Sequence, residues 1–143
     1  MVNLNGYSGT PLWKKLGFKD GLSVCAIGAP RHYRTLLDLP DDISIRWLPT
    51  PSSRTAVVHL FATRTSSLAT RLTALRRSIA PDAAVWVSWP KKTAGVATDI
   101  TENVIRDVAL PLGFVDIKVC AVDEVWSGLK LTIRRELRRK PER

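Results

Sequence analysis

The sequence predicts an α/β fold with an open, mostly parallel sheet that ends in an antiparallel hairpin. Apolar, strand-like runs alternate with helix-like segments along most of the 143 residues, which is typical of a parallel sheet covered by helices. The last two strand-like runs, 113–122 and 126–135, are joined only by Asp123-Glu124-Val125. So short a link permits only an antiparallel pair, because a parallel return needs about a dozen residues.

Length and composition predict one globular domain over residues 1–143. With 45% hydrophobic and 24% charged residues, the chain falls among ordinary globular proteins that bury a core without disulfides. We expect an N-terminal arm and short helix over 1–21 and a basic tail over 137–143. The first nine residues have neither the basic region nor the apolar run of an export signal or anchor. We therefore expect a cytoplasmic protein with no membrane partner.

The first half of the chain predicts two strands and two helices. Asp20-Gly21 is a turn signal that ends a short N-terminal helix. Residues 22–27 are mostly apolar, as in a strand buried on both faces of a parallel sheet. Pro30 suits the first position of a helix that runs to about Leu39, and residues 43–48 form the second strand.

The link between the second and third strands is unusually short. Only 49–54 separate the strand at 43–48 from the strand at 55–61. A parallel return past one strand must span about 20 Å, and six extended residues with their flanking bonds reach about 23 Å. Pro49 and Pro51 favour extension, so a crossover without a helix just fits. A local antiparallel pair is the alternative.

The second half alternates helix and strand until the hairpin. Residues 63–79 form an amphipathic helix with leucines on one face, and 83–89 form the next strand. Asp99 and Glu102 have the spacing of a capping box in front of a further helix. Residues 111–113 end that helix.

This order of elements resembles a methyltransferase-like Rossmann domain that lacks the elements around its third strand. More specifically, three segments resemble a bacterial family known as domain of unknown function three-zero-five-two. They are Tyr7-Ser-Gly-Thr-Pro-Leu, Trp86-Val-Ser-Trp-Pro-Lys-Lys and Val119-Cys-Ala-Val-Asp-Glu-Val-Trp-Ser-Gly-Leu-Lys. The resemblance implies the fold and places the last strand between the strands at 83–89 and 114–121. It transfers no catalytic residue.

Two departures from a working methyltransferase argue against its cofactor. The turn after the first strand reads Gly28-Ala-Pro-Arg31 instead of a glycine-rich loop, and Pro30 removes a backbone donor there. The end of the second strand, 46–49, has no acid for ribose hydroxyls. We therefore expect no cofactor, with S-adenosylmethionine as the alternative.

Candidate binding residues lie at the carboxyl edge of the predicted sheet, where open α/β folds bind ligands. The residues of the loop after Trp89 and of the hairpin are expected to cluster, with Arg31 and Arg64 farther along the rim. One interpretation is an anion or nucleotide pocket in which lysines supply charge and tryptophans a stacking wall. In the other, the tryptophans cover the sheet edge and Lys91 or Lys92 pairs with Asp123 or Glu124. The candidates are Gly28, Arg31, Arg64, Trp89, Lys91, Lys92, Asp123, Glu124, Trp126 and Ser127.

The remaining reactive side chains predict no catalytic residue and no metal site. His59 lies in an apolar strand and is expected to be a hydrogen-bonded core residue, whereas His32 is expected at the surface. In the strand order that the resemblance implies, Cys25 and Cys120 lie four inter-strand steps apart, about 19 Å, too far for a disulfide.

Three functional classes follow. The first is a binding domain, without strong catalytic activity, that recognises an anionic small molecule or protein at the carboxyl edge. The second is a divergent S-adenosylmethionine-dependent methyltransferase. The third, an RNA- or ribosome-associated protein, rests on the basic tail. Residues 130–143 contain seven basic and two acidic residues, a surplus of five within a net charge of +9, which suits nucleic acid or a solvated terminus.

Overall fold

The structure is a computed structural model that describes residues 9–138. The basic tail beyond Arg138 and the arm before Gly9 lie outside these residues. Within them, helices and strands follow one another in this order: α1 Leu12–Lys15, β1 Ser23–Ile27, α2 Tyr33–Leu37, β2 Arg46–Trp47, β3 Val57–Phe61, α3 Thr65–Ser78, β4 Ala84–Pro90, α4 Glu102–Ala109, β5 Phe114–Ala121 and β6 Trp126–Ile133.

The six strands form one sheet in the order β2-β1-β3-β4-β6-β5. The first four are mutually parallel, whereas β6 runs antiparallel to both β4 and β5. The prediction that the final strand inserts between its two neighbours is confirmed. Because β6 folds back between β4 and β5, β5 lies at the edge of the sheet.

The short crossover is parallel and contains no helix. Both β2 and β3 pair in parallel with β1, which excludes the antiparallel alternative. Strand β2 is shorter than predicted because the backbone of 43–44 makes other hydrogen bonds. The amide of Ile43 donates to the Pro40 carbonyl, and the amide of Ser44 donates to the Asp20 carboxylate.

Helices cover both faces of the sheet. The face against α3 and α4, here the α3–α4 face, buries leucines of α3 with alternate residues of β3, β4 and β6. The opposite α1–α2 face buries α1, α2, Phe61 and Trp86. Strand β3 lies between the two cores, and all five of its residues are buried. Successive side chains of a strand point to opposite faces, so they enter the two cores alternately.

Two predicted helix starts are wrong. Helix α2 begins at Tyr33 rather than near Pro30, whose carbonyl accepts the Tyr33 amide in a turn. The capping box at Asp99 is also absent. The Asp99 carboxylate accepts instead from the Thr65 amide at 2.7 Å, at the start of α3, and Thr101 caps α4. A contact between distant segments therefore displaces the local one.

Cys25 and Cys120 are free thiols on β1 and β5, with three strands between them as predicted. Cys25 is buried and Cys120 is half-buried. Burial raises the pKa of both thiols. Neither is therefore poised as a thiolate nucleophile.

None of the helices within residues 9–138 combines the length and the apolar character that crossing a membrane requires.

Candidate functional site

A cavity of about 510 Å³ opens where β1 and β2 end, and we call it the β1–β2 cavity. Its size lies in the range of small-molecule sites. Parallel strands present their carboxyl ends at one edge, so the loops that follow β1 and β2 meet there. None of the residues that line it is acidic; they are Ala26, Ala29, Pro30, Arg31, Tyr33, Arg34, Trp47, Leu48 and Pro49.

The loop after β1 turns at Gly28, which has a positive φ of +70°. A Cβ at this position would lie 2.9 Å from the carbonyl oxygen of Phe61, closer than a stable contact allows. Glycine is therefore required so that the loop can pass against the end of β3. Gly28, which the sequence suggested as a binding residue, therefore has a packing role.

Two arginines give the β1–β2 cavity its positive charge. The guanidinium of Arg34 lies over the Trp47 ring, 4.0 Å from its centroid. Such stacking restricts a long side chain and leaves its N–H groups free for an anion in the plane of the guanidinium. Arg31 lines the same cavity from the loop before α2. Two guanidinium groups with no acidic neighbour in the lining suit a phosphate or carboxylate.

A buried chain of hydrogen bonds begins at the lining of the β1–β2 cavity. The hydroxyl of Tyr33, which also lines the cavity, lies 2.8 Å from Nδ1 of His59, and Nε2 of His59 lies 2.8 Å from the Ser88 hydroxyl. Burial lowers the pKa of His59 to about 3 and raises that of Tyr33. The ring is therefore neutral at physiological pH, with one nitrogen as donor and the other as acceptor. His59 is a hydrogen-bonded core residue, as predicted.

The hairpin turn is held by Asp123, which is buried. Its Oδ1 accepts from the amides of Val125 and Trp126 at 2.9 and 2.8 Å. Its Oδ2 lies 3.6 Å from Nε2 of His32, an exposed residue in the loop before α2. Asp123 thus connects the hairpin to the loop beside the β1–β2 cavity, and it has a structural role that the sequence did not suggest.

The loop after β4 and the hairpin meet, as expected from the strand order. The Lys91 amide donates to the Val125 carbonyl at 2.7 Å, Trp89 pairs with Ser127, and Glu124 is exposed in the turn. Besides the two turn amides, the carboxylate of Asp123 contacts His32. Within residues 9–138, Lys92 forms no salt bridge.

The two tryptophans do not form one stacking wall. Trp126 pairs with Pro90, one residue along from Trp89, and side chains on adjacent positions point to opposite faces. Trp89 joins the α3–α4 core, whereas Trp126 packs edge-on against Phe61 at 5.0 Å on the other face. Trp89 and Lys92 are among the residues that line a second cavity of about 570 Å³ beside α4.

The other candidates are dispersed. Arg64 precedes α3 and lines a small hollow with Asp99, away from Arg31. Sequence reasoning missed Arg34, Tyr33 and Trp47, which line the β1–β2 cavity. The position of Trp47 at the carboxyl end of a parallel strand was the available signal. In the described part of the chain, no three His, Cys, Asp or Glu side chains are grouped so that they could hold a metal ion.

Comparisons with known proteins identify the fold. No family model matches the sequence, and no curated protein matches it significantly. The structure is similar to an S-adenosylmethionine-dependent methyltransferase from Aquifex aeolicus, with a TM-score of 0.65, 13% identity and 92% of each chain covered. A TehB-like enzyme of this class from Corynebacterium glutamicum has a TM-score of 0.55, 11% identity and 85% of each chain covered.

A third similar structure is the O-methyltransferase NcsB1 of neocarzinostatin biosynthesis, solved with S-adenosylmethionine and 2-hydroxy-5-methyl naphthoic acid. Its TM-score is 0.61 at 14% identity, and the match covers 85% of this chain and 50% of that one. The chain therefore has a methyltransferase-like Rossmann fold, as predicted. At these identities the likeness concerns the fold.

Proposed function

We propose that this methyltransferase-like domain binds a small phosphorylated ligand of the nucleotide class in the β1–β2 cavity. One observation carries the proposal: Arg34, stacked on Trp47, and Arg31 both line a cavity with no acidic residue in its lining. Guanidinium groups bind phosphate in a bidentate manner. Leu48 and Pro49 supply an apolar surface for a planar ring.

S-adenosylmethionine fits the same lining poorly. The ligand has a positive sulfonium and a positive amine, and the cavity presents two arginines without an acidic lining residue. No carboxylate at the end of β2 can accept from ribose hydroxyls, and Pro30 has no amide to donate. The likeness of fold is therefore not matched by the chemistry expected around this cofactor.

Calorimetric titration tests the proposal with AMP as the nucleotide, inorganic phosphate as the anion alone, and S-adenosylhomocysteine as the methyltransferase product. We expect AMP to bind, phosphate to bind more weakly, and S-adenosylhomocysteine to bind least. Arg31→Gln with Arg34→Gln should weaken AMP by at least about tenfold, because each charge-assisted hydrogen bond contributes roughly 1.5–3 kcal/mol.

A matched control separates local from overall charge. Arg71 and Arg77 are exposed on α3, so Arg71→Gln with Arg77→Gln removes the same charge elsewhere and should leave AMP affinity unchanged. Equal weakening by both pairs would show a nonspecific effect of net charge. Absence of AMP binding by the parent would reject the proposal.

A divergent S-adenosylmethionine-dependent methyltransferase is the second candidate, supported by the similarity to the Aquifex aeolicus enzyme over 92% of both chains. Micromolar binding of S-adenosylhomocysteine to the parent, tighter than that of AMP, would favour it over the nucleotide proposal. Membership of family three-zero-five-two and a cytoplasmic location also remain proposals. The free thiols of Cys25 and Cys120 suit a reducing compartment.

A further inference from the structure

The α1–α2 face of the sheet carries a row of basic side chains on its last two strands. Lys118 on β5 lies directly opposite Lys130 on β6, and Lys130 in turn lies opposite Trp86 on β4. Directly paired residues share a face. Trp86 is buried beneath α1, since its indole donates to the Leu16 carbonyl at 3.1 Å, but Lys118 is exposed and Lys130 is only half-buried.

Further cations extend the row at both ends. At one end, Nζ of Lys15 donates to the Ala121 carbonyl at 3.2 Å. At the other, Arg138 donates through Nη2 to the Thr132 hydroxyl at 3.2 Å. Ala121 lies three residues from Lys118, and Thr132 lies two from Lys130. At about 3.3 Å per residue, the row is roughly 15–20 Å long.

The lysine charges act on neighbouring groups along the row. Desolvation lowers the pKa of Lys130, and the charge of Lys118 adds to this effect. Burial raises the pKa of the Cys120 thiol, and the charges of Lys15 and Lys118 partly oppose that rise. Lys118 therefore lies within electrostatic reach of Lys130, and Lys15 and Lys118 both lie within reach of Cys120.

Two acids close to the row along the chain, Asp116 and Glu136, are paired with arginines. Asp116 accepts from Arg106 of α4, on the opposite face, at 2.9 Å. Glu136 pairs with Arg134 at 3.4 Å. The row is therefore not neutralised by these carboxylates.

We propose that this row, Lys15, Lys118, Lys130 and Arg138, is a binding track for the phosphate backbone of single-stranded nucleic acid. A narrow line of cations along two strands suits a linear polyanion better than a flat membrane surface. Single-stranded nucleic acids are held by grooves of positive charge that follow the backbone. The track combines Lys118 and Lys130 of the sheet with Lys15 of α1 and Arg138 beyond β6. It involves neither the β1–β2 cavity nor the tail beyond Arg138.

Fluorescence anisotropy with labelled oligouridylate of about twelve nucleotides tests the track. Each phosphate contact on a single strand contributes about 0.7 to the slope of log K against log salt, or about fivefold in affinity near 0.1 M salt. Lys118→Gln with Lys130→Gln should therefore weaken binding by about 25-fold and reduce the slope by about 1.4. Lys118→Gln alone, at an exposed position, should weaken it by about fivefold.

The control variant is Arg71→Gln with Arg77→Gln, which removes two charges from α3 and should leave both affinity and slope unchanged. Thermal unfolding by circular dichroism checks that each variant is folded. The proposal is overturned if the parent does not bind, if the control weakens binding equally, or if polyglutamate or anionic vesicles compete as well as unlabelled oligouridylate.

Discussion

His59→Gln should make the stability of this protein less sensitive to mild acid. His59 bridges Tyr33 and Ser88 in the core, and burial lowers its pKa from 6.5 to about 3. In the unfolded chain the ring titrates at its ordinary pKa. Between these two values the unfolded state binds a proton that the folded state does not. Stability is therefore fully present above the unfolded pKa and falls as the pH drops toward the folded one.

The size of the effect follows from the difference in pKa. Each pKa unit corresponds to about 1.36 kcal/mol, so acidification from about pH 7 to about pH 4.5 should cost about 2–3 kcal/mol through His59 alone. Domains of this kind are stable by about 5–15 kcal/mol. The loss through this one ring is therefore a substantial fraction of the total stability.

Urea unfolding at about pH 7 and about pH 4.5 measures this cost. His59→Gln replaces the ring with an amide that has a donor and an acceptor but does not titrate, and it should be less stable at neutral pH. His32→Gln is the matched control, since it removes an exposed histidine and leaves His59 in place, and it should keep the parental loss. If the parent and His59→Gln lose the same free energy on acidification, His59 does not titrate as described.

Two further substitutions test packing beside the candidate site. Gly28→Ala should destabilise the fold by about 2–4 kcal/mol, because it combines a positive φ with a clash against the Phe61 carbonyl. Gly17 has a positive φ of +81° but open space around it, so Gly17→Ala should cost only about 1–2 kcal/mol. Equal losses of stability in the two variants would show that the clash with Phe61 contributes nothing. Asp123→Ala should cost about 1–3 kcal/mol in urea unfolding because two amides lose their acceptor. Asp123→Asn keeps Oδ1 and should recover most of the stability that Asp123→Ala loses. If it does not, the contact with His32 contributes more than the two amides.

The antiparallel hairpin was predictable, and a parallel crossover without a helix was allowed, because the lengths of their links constrain them. Three residues between the last two strands permit only a hairpin, and six residues can just cross one strand. The insertion of the last strand between its two neighbours followed instead from the resemblance to methyltransferase-like domains. The lengths of the elements were less predictable. The shortening of β2 depends on the contact of Ser44 with Asp20, and the cap of α3 depends on Asp99, so both are set by residues distant in the sequence.

The candidate site was only partly predictable for the same reason. The meeting of the β4 loop and the hairpin follows from strand order, but the opposite orientations of Trp89 and Trp126 depend on a register that differs by one residue. The stacking of Arg34 on Trp47 joins a helix to a strand across the fold. Neither residue has a local sequence signal for that contact.

We propose that the β1–β2 cavity of this methyltransferase-like domain recognises a phosphorylated ligand through Arg31 and Arg34. A crystal structure of the protein grown with AMP would show the contacts themselves. We expect phosphate oxygens within hydrogen-bonding distance of one or both guanidinium groups, with the base against Leu48 and Pro49. AMP bound elsewhere, or excluded from the cavity while S-adenosylhomocysteine occupies it, would rule out this mode of recognition.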